Sequence, residues 1–323
     1  MDADTLEMLR RSLRHVLADT SERPLAERLD ELGWAEVVAE DETLALATLF
    51  DLHGDTLSGT DALGPQLSTV LASSLGDPSL SSASVVLPFG VESSHALGVL
   101  TVAGVITSQP APDVPLVVSV GGGPGVRVAI LPQTAVHLLP LATTDPSLAL
   151  VEVSGTVADA DLRWLDSEAG VAAWTAMLAR GRWLLSAELV GIALHVVRSA
   201  VQYTTDRVQY GRPIGTFQAL QHRLAGAHAL VIGAGHLVDE ASASGDPWQA
   251  MVAKALAGRA AEQACTEAQQ CYGAIGFTWE HEFHLYLRRT YVLDSMLGGW
   301  RALEFEIGSD LQATGHVPQI GSL

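Results

Sequence analysis

Hydrophobic residues recur at three- and four-residue intervals through the first part of the chain. One such series is Leu6, Leu9, Leu13 and Leu17. This spacing is that of one face of an α-helix. Gly33-Trp34 and Leu52-His53-Gly54 interrupt the pattern, and we predict that both are breaks between helices. The pattern therefore predicts a helical domain over residues 1–76.

Between residues 83 and 155 the periodicity changes to short β-branched runs separated by proline and glycine. The runs are Ser84–Leu87, Leu116–Val120, Val126–Leu131 and Leu148–Val153. Such runs are typical of strands joined by tight turns, and they predict a small antiparallel β domain over residues 77–164. A second strand follows Gly121–Gly125, whereas a dinucleotide-binding loop would be followed by a helix. We therefore predict a hairpin turn there.

Residues 165–323 return to helical spacing over several long segments. An apolar series from Trp183 to Val201 predicts the first helix, and a second is expected from Phe217 to just before Gly245. Asp246 followed by Pro247 is a good start for a third helix, which is expected to run to about Gln270. A fourth is expected from near Glu280 past Arg289, with a break at Gly298-Gly299. The predicted fold class is mainly α, with a small β domain and a C-terminal four-helix bundle.

The charge of the chain excludes some partners. Its 18 lysines and arginines face 37 acidic residues, which gives a formal net charge of −19, so we expect neither nucleic acid nor an anionic membrane surface as a partner. No apolar run approaches the roughly 20 residues of a membrane span. Met1–Thr5 lacks the layout of a signal peptide, and the two cysteines lie in one predicted helix. These features indicate a cytoplasmic protein without disulfides or a metal centre.

The stretch from Arg207 to Gln218 carries the most distinctive chemistry. Gly211, Pro213 and Gly215 predict a turn between two helices, and Thr216 is the expected N-cap of the second helix. Around this turn the sequence places a cation, an aromatic ring and an amide, on Arg207, Tyr210 and Gln218. Positioned near a helix end, such groups suit an anionic ligand.

This stretch resembles the C-terminal domain of the flavin-dependent acyl-CoA dehydrogenases. The residues that carry the resemblance are Arg207, Tyr210, Gly211, Ile214, Phe217 and Gln218, followed by a second block over Gln270–Arg289. The resemblance implies a helical N-terminal domain, here shortened, a middle β domain and a C-terminal helical bundle. The family's Thr-Glu-Pro segment and tryptophan-bearing strand of the middle domain are not found in the sequence.

The resemblance also implies FAD as the cofactor. Arg207 is expected to reach the FAD pyrophosphate of a neighbouring subunit, since a guanidinium fork suits phosphate oxygens. Gln218 would hydrogen-bond near the adenosine half with Tyr210 beside it, and Gln270 and Gly273 would form part of the wall across another interface. The alternative is that Arg207 caps a helix C-terminus and the glutamines bridge helices.

The family needs a carboxylate that removes the α-proton of the thioester while hydride leaves the β-carbon for the flavin. The resemblance assigns this base to one of two positions, which here are Leu297 and a residue near Gly181. Neither is acidic, so we predict that the chain holds no catalytic residue. Glu188 is interpreted as a structural partner within the bundle. Glu280 and Asp294 are the other carboxylates considered as bases, and a helix start at Glu280 would lower its pKa.

The motif around His281 and His284 is interpreted without a metal ion. His281-Glu-Phe-His284 is one residue short of the zinc motif His-Glu-x-x-His and lacks an evident third ligand. We therefore expect these histidines to be satisfied locally and the chain to hold no metal.

Three hypotheses follow. The first is a short, base-lacking subunit similar to those of actinobacterial α2β2 acyl-CoA dehydrogenases, in which a longer partner supplies the base for an acyl-CoA substrate, such as a steroid thioester. The second is a self-sufficient homo-oligomeric dehydrogenase whose base is Glu188, Glu280 or Asp294. The third is a non-enzymatic assembly subunit.

Overall fold

The computed structural model describes residues 1–19, 23–121, 125–165 and 168–318. Contacts within it define two compact units. One comprises residues 1–58, 183–294 and 298–323, and the other comprises residues 59–182 and 295–297. The division into domains 1–76, 77–164 and 165–323 stays a prediction.

The N-terminal region is helical, as expected. Its helices are α1 (Ala3–Ala18), α2 (Leu25–Glu31), α3 (Trp34–Thr56) and α4 (Leu63–Leu75). Leu9, Leu13 and Leu17 are the buried residues of α1. Gly33 has a φ of 77° and precedes α3, so the predicted break at Gly33-Trp34 is confirmed.

The predicted break at Leu52-His53-Gly54 is wrong, because these residues lie buried inside α3. A side chain at Gly54 would collide with the Glu188 carbonyl of helix α5 (Glu168–Asp206), and one at Gly191 of α5 would collide with the Asp51 carbonyl of α3. The two glycines thus let the helix backbones approach closely. Gly54 serves packing rather than a turn.

The β region forms two four-stranded sheets. Its strands are β1 (Ser84–Val86), β2 (Ser94–Ala96), β3 (Val99–Ile106), β4 (Pro115–Val120), β5 (Arg127–Pro132), β6 (His137–Pro140), β7 (Val151–Ala158) and β8 (Arg163–Trp164). The strand orders are β1-β4-β5-β8 and β2-β3-β7-β6. Val86, Leu100, Val118 and Val153 belong to the buried cluster of this region.

Three details of this region differ from the sequence-based expectation. The β1–β4 pair is parallel, with Val85 opposite Val117, so the domain is not purely antiparallel. Strand β3 was not predicted. Strand β8, which carries Trp164, was not predicted either.

The hairpin predicted at Gly121–Gly125 has its flanking strands in place, since β4 and β5 are antiparallel with Val120 opposite Arg127. The turn residues 122–124 lie outside the described residues.

The long segments of the C-terminal part are α-helices. After α5 come α6 (Gln218–Ser244), α7 (Pro247–Tyr272), α8 (Phe283–Ser295) and α9 (Trp300–Thr314). A short hairpin of β9 (Val208–Gln209) and β10 (Arg212–Pro213) joins α5 to α6. The break at Gly298-Gly299 is confirmed, and α9 follows it. The fourth predicted helix, α8, begins at Phe283 rather than near Glu280.

The helix ends show which capping signals the chain uses. The Asp246 carboxylate accepts hydrogen bonds from the backbone N–H groups of Trp248 and Gln249 at 2.7 and 3.1 Å, as predicted. Thr216 is not the N-cap of α6: the cap position is Phe217, and the Thr216 hydroxyl donates to the Pro213 carbonyl at 2.7 Å.

Among the described helices, α5 alone is long and apolar enough to cross a membrane by length and composition. The segment is not an uninterrupted apolar run, because Glu188 and Arg198 lie within it. Of its most apolar 18-residue window, 72% is buried within the protein, as in the core helix of a soluble fold.

Candidate functional site

The two sequence blocks singled out above lie at neighbouring helix ends. The rings of Tyr203, in the last turns of α5, and Tyr272, at the end of α7, meet edge to face with centroids 5.1 Å apart. The Arg207 backbone N–H donates to the Tyr203 carbonyl, and Gly273 directly follows Tyr272. The fold thus brings the Arg207–Gln218 segment and the Gln270–Gly273 segment to one end of the bundle.

The predicted cofactor-binding residues lie at the surface. Arg207, Gln218 and Gln270 are exposed, and Tyr210 is 92% exposed. The Tyr210 φ of 54° lies in the left-handed region. The backbone conformation at the tip of the β9–β10 hairpin therefore sets the direction of the Tyr210 side chain. These groups are placed to meet a ligand or a second chain.

Two backbone features of this surface suit an anionic group. No side chain caps the N-terminus of α6, where Gln218 is the first residue, so the N–H groups of this turn can face an anion. Gly273 has a φ of 62°, and a side chain there would meet no atom within 4 Å. The exposed residues therefore fit one edge of a bound dinucleotide such as FAD.

Leu297, one of the two positions to which the resemblance assigns a base, lies against Gly181, which is near the other. A side chain at Gly181 would run into Leu297 Cδ1 and would come within 2.9 Å of Leu67 Cδ2. Leu297 is 6% exposed, its φ is 57°, and its carbonyl accepts a hydrogen bond from Arg182 Nε at 3.1 Å. A carboxylate side chain at position 181 would have no room unless Leu297 moved.

Glu188 is held in a buried ionic cluster. Its Oε1 accepts from His53 Nδ1 at 2.9 Å and from an Arg289 Nη at 3.1 Å, and the Arg289 side chain is fully buried. Burial alone would raise the pKa of Glu188, but the charges and hydrogen bonds of His53 and Arg289 outweigh it and lower the pKa. Glu188 is therefore suited to joining helices rather than to accepting a proton at neutral pH.

Asp294 supports the loop that carries Leu297. The Asp294 carboxylate accepts from the Trp300 backbone N–H at 3.1 Å, at the start of α9. The buried Lys254 ammonium lies 3.7 Å from it and donates to the carbonyls of Asp294 and Gly298. Burial raises the pKa of Asp294, with the Lys254 charge acting in the opposite direction. Sequence reasoning missed Lys254, because a lone lysine inside a helical pattern gives no sign of burial.

The remaining candidates have local explanations. Glu280 is exposed and lies before α8 rather than in its first turn. His281 Nδ1 accepts from the Phe283 backbone N–H, and His284 Nδ1 bonds to the His281 carbonyl. Both cysteines are free and buried.

A family comparison identifies the C-terminal part of the chain. Residues 168–302 match the family described as acyl-CoA dehydrogenase, C-terminal domain. This domain belongs to the acyl-CoA dehydrogenase family.

Similar acyl-CoA dehydrogenases occur in mycobacteria. The chain is 35% identical over 172 residues to acyl-CoA dehydrogenase IpdE2 of Mycobacterium tuberculosis, which covers 52% of this chain and 51% of the relative. It is 39% identical over 115 residues to the IpdE2 of Mycolicibacterium smegmatis, covering 36% and 37%. The chain thus spans about half the length, or less, of these relatives.

Solved structures extend the fold over the whole chain. A steroid acyl-CoA dehydrogenase, the G363A variant of Tcur3481-Tcur3483, superposes with a TM-score of 0.72 at 23% identity, covering 97% of this chain and 98% of that one. The ChsE4-ChsE5 complex of Mycobacterium tuberculosis gives a TM-score of 0.71 at 18% identity, with 99% of each chain covered. The chain therefore has an acyl-CoA dehydrogenase fold.

Within this acyl-CoA dehydrogenase fold, the structure separates two groups of predicted residues. The first group, which is exposed or half-exposed, comprises Arg207, Tyr210, Gln218, Gln270 and Gly273. Within the part of the chain that the structure describes, the Arg207 guanidinium makes no hydrogen bond or ion pair. In the second group, the Leu297 side chain packs directly against Gly181. The cofactor roles of the first group stay a prediction, which the next section develops.

Proposed function

We propose that this chain is the short, base-lacking subunit of a heteromeric acyl-CoA dehydrogenase that binds FAD. A longer partner subunit supplies the catalytic carboxylate and most of the flavin and thioester site. The complex is of the α2β2 type, works in the cytoplasm, and introduces an α,β double bond into an acyl-CoA whose acyl group is steroid-like.

The contact between Leu297 and Gly181 carries this proposal. Both positions that the family uses for its base are apolar here, and a side chain at Gly181 would collide with Leu297. Leu297 is buried among side chains of this chain. A chain built this way contributes to an active site elsewhere rather than holding one of its own.

The exposed residues near the end of the bundle give this chain its part in the complex. FAD, when bound, would supply the acceptor for the hydride that leaves the β-carbon. Arg207 would bind the pyrophosphate by charge-assisted hydrogen bonds, and the uncapped start of α6 at Gln218 would add backbone donors. Tyr210 would pack beside the adenosine, and Gln270 and Gly273 would line the wall. Their exposure supports these roles, because such residues need a second chain to enclose the cofactor.

The comparisons support the substrate class and the assembly. The similar structures include one described as a steroid acyl-CoA dehydrogenase built from two named components, and another described as a complex of two different chains. A short subunit that leaves out one substrate site would give the remaining site room for a bulky acyl group.

Co-expression tests the proposal. The chain is produced together with a full-length acyl-CoA dehydrogenase from the same genome that carries the base glutamate, and flavin per heterodimer and dye reduction by a steroid acyl-CoA are measured. We expect a stable complex that is active and contains FAD, and loss of activity when the partner's base glutamate is changed to glutamine. A complex whose activity survives that change would overturn the proposal.

One observation favours a second candidate, a self-sufficient homo-oligomer with Asp294 as the base. The raised pKa of Asp294 is the direction that proton abstraction requires. Its carboxylate, however, already accepts the N–H that starts α9. Under this alternative the purified chain alone would oxidise an acyl-CoA, and Asp294→Asn would abolish that activity.

A further inference from the structure

The imidazole ring of His195, in the second half of α5, is held from two sides. Its Nδ1 lies 3.1 Å from Asp55 Oδ1. Its face stacks on the Tyr286 ring, with the centroids 4.1 Å apart and the planes at 15°. The Tyr286 hydroxyl in turn donates to the Asp55 carbonyl at 3.1 Å. These contacts fix the direction in which the other ring nitrogen, Nε2, points.

The Asp55 carboxylate determines which His195 nitrogen carries the proton. Arg198 donates to Asp55 Oδ1 at 2.6 Å, and Arg14 lies 3.5 Å from Oδ2. Burial alone would raise the pKa of Asp55, but the hydrogen bond from His195 and the nearby positive charges outweigh it and lower the pKa. An ionised carboxylate only accepts hydrogen bonds, so His195 Nδ1 carries the proton. Nε2 of the neutral ring is then an acceptor.

The His195 Nε2 atom is buried and has no hydrogen-bond partner within the described ranges 1–19, 23–121, 125–165 and 168–318. Buried polar atoms are normally paired with protein groups or ordered water, because an unpaired one costs free energy. A neutral ring presents an acceptor at this point, and a protonated ring presents a donor. A water molecule suits both states, because it can donate and accept.

A small polar cavity lies beside this ring. Its volume is about 10 Å³, close to the roughly 10–15 Å³ that one water requires. The lining residues include His195, Ser199, Tyr272, His281, Glu282 and Tyr286. Each of these six side chains carries a nitrogen or oxygen, so the lining can supply the two to four polar partners that a buried water uses. The cavity is too small for a substrate or a cofactor.

We propose that this cavity binds one ordered water molecule, which bonds to His195 Nε2 and bridges α5 to residues 281–282, just before α8. His281 is a suitable second partner. Its Nδ1 accepts from the Phe283 backbone N–H at 3.1 Å, so its Nε2 carries the ring proton and can donate. The Ser199 hydroxyl, one turn after His195, can donate or accept. This inference does not depend on the proposed function.

A metal ion is the poorer occupant of the cavity. Among the residues whose structure is described, no group of three histidine, cysteine, aspartate or glutamate side chains is placed to hold one. Water needs only hydrogen-bonding partners, which the lining provides.

The bridging water supports a segment that includes a predicted cofactor-binding residue. Tyr272 directly precedes Gly273, and its ring centroid lies 4.3 Å from that of His281. Residues 273–282 connect α7 to α8. The water fastens the end of this connection to α5, so its removal should let the connection open more often.

A high-resolution crystal structure of the full chain tests the site. We expect a water at about 2.7–3.2 Å from His195 Nε2, with a second hydrogen bond to Ser199, His281 or Glu282. A protein atom bonded directly to Nε2, a metal ion at about 2.0–2.1 Å, or a cavity without density would overturn the inference. Nitrogen NMR of histidine-labelled chain should find the proton on His195 Nδ1 at neutral pH, and a neutral ring protonated on Nε2 would contradict the assignment.

Two matched substitutions test the bridging role. Ser199→Val places carbon in the cavity and should expel the water. Amide exchange of residues 273–282 should then accelerate about fivefold or more, as expected for the loss of one hydrogen bond. Ser309→Val makes the same change at an exposed site of α9 and should leave this exchange unchanged. A Ser199→Val structure that keeps the water, or loses it without faster exchange, would overturn the bridging role.

Discussion

Leu297 Cδ1 occupies the space that a side chain at Gly181 would need. The two residues are 116 positions apart in the sequence, yet Leu297 is one position to which the family resemblance assigns its base and Gly181 lies near the other. The Leu297 side chain therefore fills the space beside position 181, and neither position carries a carboxylate.

This contact predicts a coupled pair of substitutions. Gly181→Ala should lower the free energy of unfolding, because the added methyl group overpacks a buried site, which costs about 1–3 kcal/mol. The higher helix propensity of alanine should offset up to about 1 kcal/mol of this cost. Leu297→Ala should restore space, so the double variant should be less destabilised than the sum of the single variants. Urea unfolding of the four proteins measures the coupling.

Gly308→Ala in α9 is the matched control, since a side chain there would meet no atom within 4 Å. Alanine should stabilise this helix by up to about 1 kcal/mol. Additive effects of Gly181→Ala and Leu297→Ala would show that the two positions do not touch.

The buried cluster of Glu188, His53 and Arg289 predicts a defined acid sensitivity. The folded pKa of Glu188 is lowered from its ordinary value of 4.5. Its contribution to stability is therefore complete above that value and is lost as the pH falls through the lower, folded value. Glu188→Gln should destabilise the protein at neutral pH by on the order of 3 kcal/mol, because it leaves the Arg289 charge buried and unpaired.

The pH dependence distinguishes this cluster from a general loss of packing. Denaturant unfolding at a series of pH values should show a weaker decline below about pH 4.5 in Glu188→Gln than in the unmodified chain. Glu306→Gln, an exposed change on α9, should stay within about 0.5 kcal/mol. An unchanged acid profile in Glu188→Gln would contradict the cluster's role.

Arg207 is predicted to act on the cofactor rather than on the fold. The Arg207 side chain is exposed, so Arg207→Ala should change the free energy of unfolding of the isolated chain by less than about 0.5 kcal/mol. In the complex it should weaken FAD retention about tenfold or more, since hydrogen bonds to charged groups contribute about 1.5–3 kcal/mol. Equilibrium dialysis with flavin fluorescence measures this loss.

Arg11→Ala, at another exposed arginine on α1, is the control for net charge. Equal flavin loss in both variants would point to a general electrostatic effect and against a specific pyrophosphate contact at Arg207.

The two cysteines are predicted to be inert in the folded protein. Burial raises the pKa of the Cys265 thiol to about 12 and also raises the pKa of Cys271. Because the thiolate is the reactive form, a thiol-labelling reagent should modify neither residue in the native chain and both in urea. Rapid native labelling of one thiol would show that its helix opens.

Local signals predicted much of the fold. Asp246-Pro247 starts α7 as expected, and Gly245, in the left-handed conformation, ends α6. Each of these residues acts on its own backbone, so its effect can be predicted from neighbouring residues.

Features that depend on distant residues were missed. The sequence pattern predicted a helix break at Gly54. Its lack of a side chain instead lets the Glu188 carbonyl approach the α3 backbone closely. The parallel pairing of β1 with β4 joins segments about 30 residues apart, which a period-two pattern does not encode. The exposure of Val201 was missed because this residue fits the core spacing of α5, although it is 46% exposed.

The dehydrogenase activity of the purified chain alone tests the central claim most directly. The chain is supplied with FAD and a steroid acyl-CoA, and bound flavin and dye reduction are followed. We predict a colourless protein, because the exposed cofactor-binding residues need a second chain to enclose FAD. We also predict no turnover, because positions 181 and 297 carry no carboxylate. A yellow protein that oxidises the thioester without any partner would contradict the account.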